Sequence, residues 1–162
     1  MRVMVALAAA LAAGTLVAVA EAKPQPETIR YETGPCFGFC PAYRVTVSST
    51  GQGVFEGGRF TAEKGRKAFR VTPAEFAAFR AKLVADRPAG VRVLNGKPAC
   101  RSIATDQITV DVRWTGGTRP PSHLSAYFGC DMDGNSALFD RLKAAPAALP
   151  IAAFIGDGRR PR

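Results

Sequence analysis

The residues of this chain with the widest choice of chemistry are its four cysteines, Cys36, Cys40, Cys100 and Cys130. The first two belong to the compact run Cys36-Phe37-Gly38-Phe39-Cys40-Pro41. Two thiols at this spacing can form a structural disulfide, act as a redox dithiol or bind a soft metal ion. Four cysteines allow three disulfide connectivities. We favour the connectivity that joins Cys36 to Cys40 and Cys100 to Cys130, and the crossed pairings stay open.

Redox catalysis by Cys36 and Cys40 is one alternative to a structural disulfide. A reactive dithiol needs a stabilised thiolate, which a helix N-terminus beside the nucleophile commonly supplies. The residues after Cys40 alternate apolar and polar side chains from Tyr43 to Ser48, and this alternation predicts a strand rather than a helix. The spacing is also C-x3-C rather than C-x2-C. Both observations favour the structural disulfide.

Copper binding is the other alternative for the first cysteine pair. Exported copper chaperones of the Sco type use a C-x3-C-P run with a distant histidine, and this chain has a single histidine, His123. Two thiolates and an imidazole suit copper. Those chaperones place a helix after the motif, whereas the motif here opens a predicted hairpin. We therefore predict no resident metal or cofactor, and keep Cys36, Cys40 and His123 as the alternative metal site.

Hydrolysis is a third interpretation, with Asp106 and His123 as its candidate residues. The sequence contains no G-x-S-x-G nucleophile elbow that would accompany them. A calcium loop at 131–135 is disfavoured, because its glycine stands at the fourth position and Leu142 occupies the place of the bidentate glutamate. No catalytic residue is predicted, and the balance of the sequence is against an enzyme.

The elements that must position the cysteines read as strands and a helix, followed by further strands and a second helix. Thr72, Pro73 and Glu75 form a helix-start signal, in which the threonine caps the helix and the glutamate completes a capping box. Hairpin-like connections between the strands predict a mainly antiparallel sheet. The predicted fold class is α+β, with two helices packed on one face of the sheet and disulfides as staples. The predicted strands are 28–32, 43–48, 54–56, 67–71, 107–115 and 123–128, the helices are 73–87 and about 136–145, and 89–98 is a loop.

The N-terminus predicts a secretory signal peptide over residues 1–22. Arg2 precedes an uncharged apolar run, and Ala20-Glu21-Ala22 provides the small residues of a cleavage site. No cysteine stands at the cleavage point, so a lipid anchor is not expected. The predicted organisation is then a disordered lead-in at 23–27, a single domain at 28–155 and a basic flexible tail at 156–162. The predicted location is the periplasm or the exterior, with no transmembrane anchor after cleavage.

The formal net charge is +9, with 22 lysines and arginines against 13 acidic residues. The simplest interpretation is a soluble basic surface, and the alternative is affinity for acidic partners. In an exported protein these are an envelope protein or an anionic envelope polymer rather than nucleic acid, for which no recognition motif is present.

The run Cys36-Phe37-Gly38-x-Cys40-Pro41-x-Tyr43 resembles a group of bacterial exported proteins catalogued as domain of unknown function 6438. Thr105-Asp106 before a strand and Tyr127-Phe128-Gly129 before a terminal helix are similar as well. The resemblance spans about 29–155 and implies a small exported domain in which the second cysteine pair is an elaboration. It implies no activity, ligand or catalytic residue.

The function that these observations favour is a non-enzymatic binding or structural role in the cell envelope. A thiol-redox or copper-binding protein is the first alternative, and a hydrolase is the second. Phe37 and Phe39 flank Gly38 inside the cysteine run. Whether they fill the core or form an exposed recognition tip is open at the level of sequence.

Overall fold

A computed structural model describes residues 25–157, which form a seven-stranded sheet in the order β4-β3-β2-β1-β6-β7-β5. All neighbouring strands are antiparallel except the parallel pair of β5 and β7. The α+β class with a mainly antiparallel sheet is therefore confirmed. The strands are β1 (Thr28–Thr33), β2 (Tyr43–Ser48), β3 (Gln52–Gly57), β4 (Gly65–Arg70), β5 (Val91–Leu94), β6 (Thr109–Thr115) and β7 (Ser122–Tyr127), and the helices are α1 (Pro73–Val84), α2 (Ser136–Ala144), a 3-10 helix (Ala145–Ala148) and α3 (Ala152–Ile155).

The two faces of the sheet differ because side chains alternate along each strand. The buried face carries the apolar residues of every central strand, and the opposite face, called here the open face, is polar. An ion-pair ladder crosses the open face, where Glu32 accepts hydrogen bonds from Arg30 at 2.7 Å and from Arg44 at 2.8 Å. The fully buried residues on the other face include Ile29, Val45, Val47, Val110, Val112, Trp114 and Leu124.

Tyr31 shows how both long helices come to lie on the buried face. Its ring packs edge-on against Phe79 of α1, with the ring centroids 6.4 Å apart. Its hydroxyl donates a hydrogen bond to the carbonyl of Leu142 in α2 at 3.2 Å. The predicted capping box of α1 is present, since the Thr72 hydroxyl accepts from the Glu75 amide and the Glu75 carboxylate accepts from the Thr72 amide. Burial of α1 residues such as Phe79 and Leu83 contributes about 1.5–3 kcal/mol each.

Strand β5 corrects the expectation that 89–98 is a loop. Val91–Leu94 pairs in parallel with β7, so that Val91 is opposite His123 and Leu94 is opposite Ala126. The strand has only four residues, which give too short a pattern to identify a strand from the sequence. The hydrogen bonds that define it come from a strand about thirty residues further along the chain, and the local sequence does not contain them.

The C-terminal segment adds structure beyond the two predicted helices. Ile151 is fully buried, and the Phe154 ring of α3 packs against Phe55 at 5.6 Å. The backbone amides of Ala62 and Glu63 donate to the carbonyls of Ile155 and Phe154 at 3.1 and 3.0 Å. The segment is therefore joined to the connection between β3 and β4, next to the end of the sheet that carries the cysteines.

Residues 25–27, which belong to the lead-in predicted from the sequence, contact the sheet and α1. Glu27 forms ion pairs with Arg80 at 2.8 Å and with the buried Arg87 at 2.9 Å. The predicted signal peptide and residues 158–162 of the predicted tail lie outside the described residues. Between residues 25 and 157, no helix combines the length and apolar character needed to cross a membrane.

Candidate functional site at the disulfide end of the sheet

Both cysteine pairs lie at one end of the sheet, which we call the disulfide end. Strands β1 and β7 run in the same direction because each is antiparallel to β6 between them. Cys36 follows the last residue of β1, Thr33, by three positions, and Cys130 follows the last residue of β7, Tyr127, by three positions. Disulfides join Cys36 to Cys40 and Cys100 to Cys130, and no cysteine in the described range is free.

The Cys36–Cys40 disulfide closes a short surface loop, with a distance of 5.7 Å between the two Cα atoms. Gly38 at its centre has a φ of +145°, a conformation that favours glycine. The side chains on either side point into solvent, because Phe37 is 88% exposed and Phe39 is 56% exposed. The two phenylalanines are therefore surface residues and not part of the core.

A second aromatic residue pair extends this surface. The rings of Phe39 and Phe60 meet edge-on at 5.2 Å, and the Arg59 guanidinium lies 5.0 Å from the centre of the Phe60 ring. The Ala42 amide donates to the Arg59 carbonyl at 2.8 Å and so fixes this segment beside the cysteine loop. We call Phe37, Phe39, Phe60 and Arg59 together the aromatic tip.

Phe60 has a φ of +60°, in the left-handed region that bulky residues seldom occupy. Holding a non-glycine residue there costs on the order of 1–3 kcal/mol, and such residues cluster at functional sites. The strain is located in the one residue that joins Phe39 to Arg59. It is a reason to treat the aromatic tip as a site rather than as incidental surface.

Beside the aromatic tip is a groove of about 550 Å³ that reaches down to the core. Its walls are mainly apolar, and Lys143, Asp157, Thr33 and the two buried tyrosines supply polar groups. Burial raises the pKa of both Tyr31 and Tyr43 above the usual range for a phenol. Both hydroxyls therefore stay protonated, and that of Tyr31 donates to the Leu142 carbonyl. The residues that line the groove include Phe39, Pro41, Tyr43, Ile108, Lys143 and Ile155.

The Cys100–Cys130 disulfide is part of the core instead, with a Cα–Cα distance of 5.2 Å. Next to it the Asp131 carboxylate accepts hydrogen bonds from the amides of Arg101 at 3.0 Å and Ser102 at 2.7 Å. These bonds lower the pKa of Asp131 below its ordinary value. The Asp131 carboxylate is thus used within the chain. The side-chain NH2 of Asn135 donates to the Cys130 carbonyl at 2.8 Å.

His123 occupies the open face of the sheet, away from the cysteine loop. Its Nε2 is hydrogen-bonded to Asp111 on the neighbouring strand β6. Asp106, the predicted hydrolase partner, instead accepts a hydrogen bond from the Thr105 hydroxyl at 3.1 Å. Ser125 lies opposite Asp111 in the register, and none of the hydrogen bonds of residues 25–157 links its hydroxyl to His123. The structure therefore does not assemble Asp106 and His123 into a catalytic pair.

The alternative copper ligands are also apart. Arg30 and His123 are each paired with Arg113 in the register, so these three residues form one row across the middle of the sheet, whereas Cys36 lies beyond the end of β1. The sulfurs of Cys36 and Cys40 are bonded to each other. Over the described part of the chain, no group of three or more His, Cys, Asp or Glu side chains could hold a metal ion.

The loop, both cysteine pairs and the seven strands all fall within one family match. The model of a domain of unknown function, DUF6438, matches residues 27–144. The chain belongs to this family. The match includes α1 and α2 and ends before the 3-10 helix and α3, so Ile155 in the wall of the groove lies outside it. Comparisons with curated proteins and with solved structures find no match.

Within this DUF6438 domain, sequence reasoning identified Phe37 and Phe39 but missed Phe60 and Arg59. The sequence indicates that the stretch from Gly57 to Gly65 is a polar connection between the predicted strands 54–56 and 67–71. Its contact with the cysteine loop depends on the pairing of β2 with β3, which brings Ala42 next to Arg59. A phenylalanine inside an otherwise polar connection was the only local signal.

Proposed function

We propose that this protein is an exported, non-catalytic binding domain of the cell envelope, and that it recognises a partner protein through the aromatic tip. The observation that supports this most directly is the 88% exposure of Phe37 on a loop clamped by a disulfide. Disulfides persist in oxidising compartments, which fits the signal peptide predicted over residues 1–22.

The clamp matters because it orders the loop before a partner arrives. A loop that is already in its bound conformation loses less entropy on association, and more of the contact energy then appears as affinity. Phenylalanine and arginine are both enriched at protein–protein interfaces relative to the rest of the surface. Burying the Phe37 ring against a partner would contribute about 1.5–3 kcal/mol.

The charge around the tip favours a partner with an acidic surface. Arg59 belongs to the tip itself, and the adjacent groove is lined by Lys143 and by one acidic residue, Asp157. Lys64 is exposed on the same connection, where its ammonium donates to the Gly58 carbonyl at 2.6 Å. Together with the net charge of +9, these groups would attract a carboxylate-rich rim around an apolar contact.

A photo-crosslinking experiment tests the proposal in the cells that produce the protein. A benzoylphenylalanine replaces Phe37 in one variant and Lys82, an exposed residue of α1, in the control. We expect protein crosslinks from position 37, few from position 82, and a loss of those from position 37 when Cys36 and Cys40 are both serine. Crosslinks only to lipid or polysaccharide, or equal yields at both positions, would contradict the proposal.

Export has its own measurement. The N-terminus of the protein from the envelope fraction should begin at Lys23, after removal of the first 22 residues. A chain that keeps Met1 and stays in the cytoplasm would contradict the exported part of the proposal.

A further inference from the structure

Among residues 25–157, strand β5 forms one edge of the sheet, and some of its backbone hydrogen-bonding groups have no neighbouring strand there. The His123 amide donates to the Gly90 carbonyl at 2.9 Å, which shows that Gly90 faces β7. Because N–H and C=O groups alternate in direction along a strand, Arg92 and Leu94 also face β7. The N–H and C=O groups of Val91 and Val93 therefore point away from the sheet.

The side chains of this edge are apolar and exposed. Val91 is 73% exposed and Val93 is 48% exposed, and the register places both on the open face. The opposite edge, β4, carries Arg66, Lys67 and Arg70, and charged residues of this kind discourage strand addition. The sheet thus has one protected edge and one edge that could accept a further strand.

Arg92 lies between the two valines and projects from the other face. It is exposed, and none of the ion pairs formed within residues 25–157 includes it. A strand added to this edge would place one residue opposite Arg92 and its neighbours opposite the valines. Charge complementarity requires an acidic residue at the first position, and burial favours apolar residues at the other two.

We infer that β5 binds an extended segment of a partner protein as an eighth strand, with the pattern apolar–acidic–apolar. Backbone hydrogen bonds to Val91 and Val93 would supply affinity, and the alternating side chains would supply specificity, as in other cases of strand addition. This site is separate from the aromatic tip and does not rest on the function proposed for it.

A second copy of this chain fits the same edge poorly. A two-fold axis at Arg92 would place Arg92 opposite its own counterpart, and like charges directly opposite destabilise a strand pair. An axis at Val91 or Val93 would leave Arg92 opposite an uncharged residue, Gly90 or Leu94. Every symmetric register therefore leaves the arginine without a carboxylate, so the segment comes from a different protein.

The test uses two synthetic peptides, Thr-Val-Glu-Val-Thr and Thr-Val-Lys-Val-Thr with blocked ends, titrated into the mature protein and followed by amide NMR shifts. We expect the glutamate peptide to shift Val91, Arg92 and Val93 and to bind about fivefold more tightly than the lysine peptide. In Arg92→Glu the preference should reverse. Equal binding of both peptides to both proteins, or no shifts at β5 at millimolar peptide, would overturn the inference.

Two control variants show whether the peptide binds at the β5 edge or elsewhere on the protein. Val93→Lys should abolish peptide binding without unfolding the protein, whereas Phe37→Ser should leave it unchanged, since that residue belongs to the aromatic tip. In the free protein the amides of Val91 and Val93 should exchange with solvent faster than those of Arg92 and Leu94. A dimer in sedimentation that Val93→Lys dissociates would instead make a second copy the occupant and would overturn the inference.

Discussion

The two disulfides lie at the same end of one sheet but in opposite surroundings. Cys100 and Cys130 are 1% and 0% exposed and belong to the hydrophobic core, whereas Cys36 and Cys40 are only half-buried. The Cys100–Cys130 disulfide is surrounded by core side chains. The Cys36–Cys40 disulfide closes a surface loop that presents Phe37 and Phe39 to solvent. The same covalent bond thus stabilises the fold in one region and orders a surface in the other.

The lengths of chain that the disulfides close point in the same direction. The sequence separation is 30 residues for Cys100–Cys130 and 4 residues for Cys36–Cys40. Loop-closure entropy in the unfolded chain then predicts a stabilisation of about 4 kcal/mol for the first and about 2 kcal/mol for the second. If this contrast holds, Cys100–Cys130 should contribute more to the stability of the fold, and Cys36–Cys40 should contribute more to binding.

The largest expected effect on stability comes from removing the core disulfide, Cys100–Cys130. Replacing Cys100 and Cys130 with alanine should lower the free energy of unfolding by about 4 kcal/mol, a large part of the stability of a domain of this size. Urea denaturation of the wild type and the double variant measures the change. A loss no greater than that of the other disulfide would remove the distinction between the two regions.

Replacing Cys36 and Cys40 with serine should cost less, about 2 kcal/mol in the same denaturation experiment. The folded variant should nevertheless lose most of the crosslinking from position 37, because the loop is then free to move. A variant that keeps its crosslinks would show that the clamp is not needed for recognition.

A smaller effect is expected at Asp131, which belongs to the core disulfide region. Its folded-state pKa lies below the ordinary value of 3.8, because the Arg101 and Ser102 amides donate to the carboxylate. Its contribution to stability is therefore present above that ordinary value and is lost as the pH falls through the lowered pKa. Asp131→Asn should be less stable than the wild type at pH 7, and the difference in melting temperature should be smaller at a pH below 3.8 than at pH 7.

Asparagine is a suitable replacement because it tolerates the positive φ of +40° at this position. The control is Asp133→Asn, which changes an exposed carboxylate two residues away. A constant difference in melting temperature at both pH values, or an equal effect of the control, would show that the carboxylate charge is not responsible.

The smallest expected effect on stability is at the aromatic tip. Phe37→Ser should change the free energy of unfolding by less than about 0.5 kcal/mol, because the ring stays exposed to solvent in the folded chain. Phe128 is a buried phenylalanine for comparison beside the core disulfide, where its ring stacks on Phe139 at 4.5 Å. Phe128→Ala should cost about 3–5 kcal/mol. A marked destabilisation by Phe37→Ser would mean that the tip has a structural role.

Much of the fold could be read from local patterns. The alternation in Tyr43–Ser48 predicted β2 with its bounds, and Thr72, Pro73 and Glu75 predicted the start of α1. The spacing of Phe76, Phe79 and Leu83 at i, i+3 and i+7 predicts one apolar face of this helix, and all three are buried. These features depend on residues close together in the chain, and for that reason one sequence is sufficient to predict them.

The candidate site was only partly predictable. The cysteine run drew attention to Phe37 and Phe39, but their exposure could not be decided from residue type, since phenylalanine is usually buried. The hydrogen bond between His123 and Asp111 was missed because it joins two strands. The sequence drew attention to Asp106 instead, which precedes a predicted strand. Strand β5 was missed because its hydrogen bonds come from β7.

The sequence by itself determined the alternation that gives the sheet one buried face. It also predicted the export signal and favoured the pairing of Cys36 with Cys40. Only the tertiary structure decided which groups meet across strands. It placed Arg59 and Phe60 beside the cysteine loop, left the edge of β5 open, and separated His123 from the sulfurs. The physical reason is that apolar–polar alternation and helix capping involve near neighbours in the chain. Strand order, by contrast, depends on hydrogen bonds between distant segments.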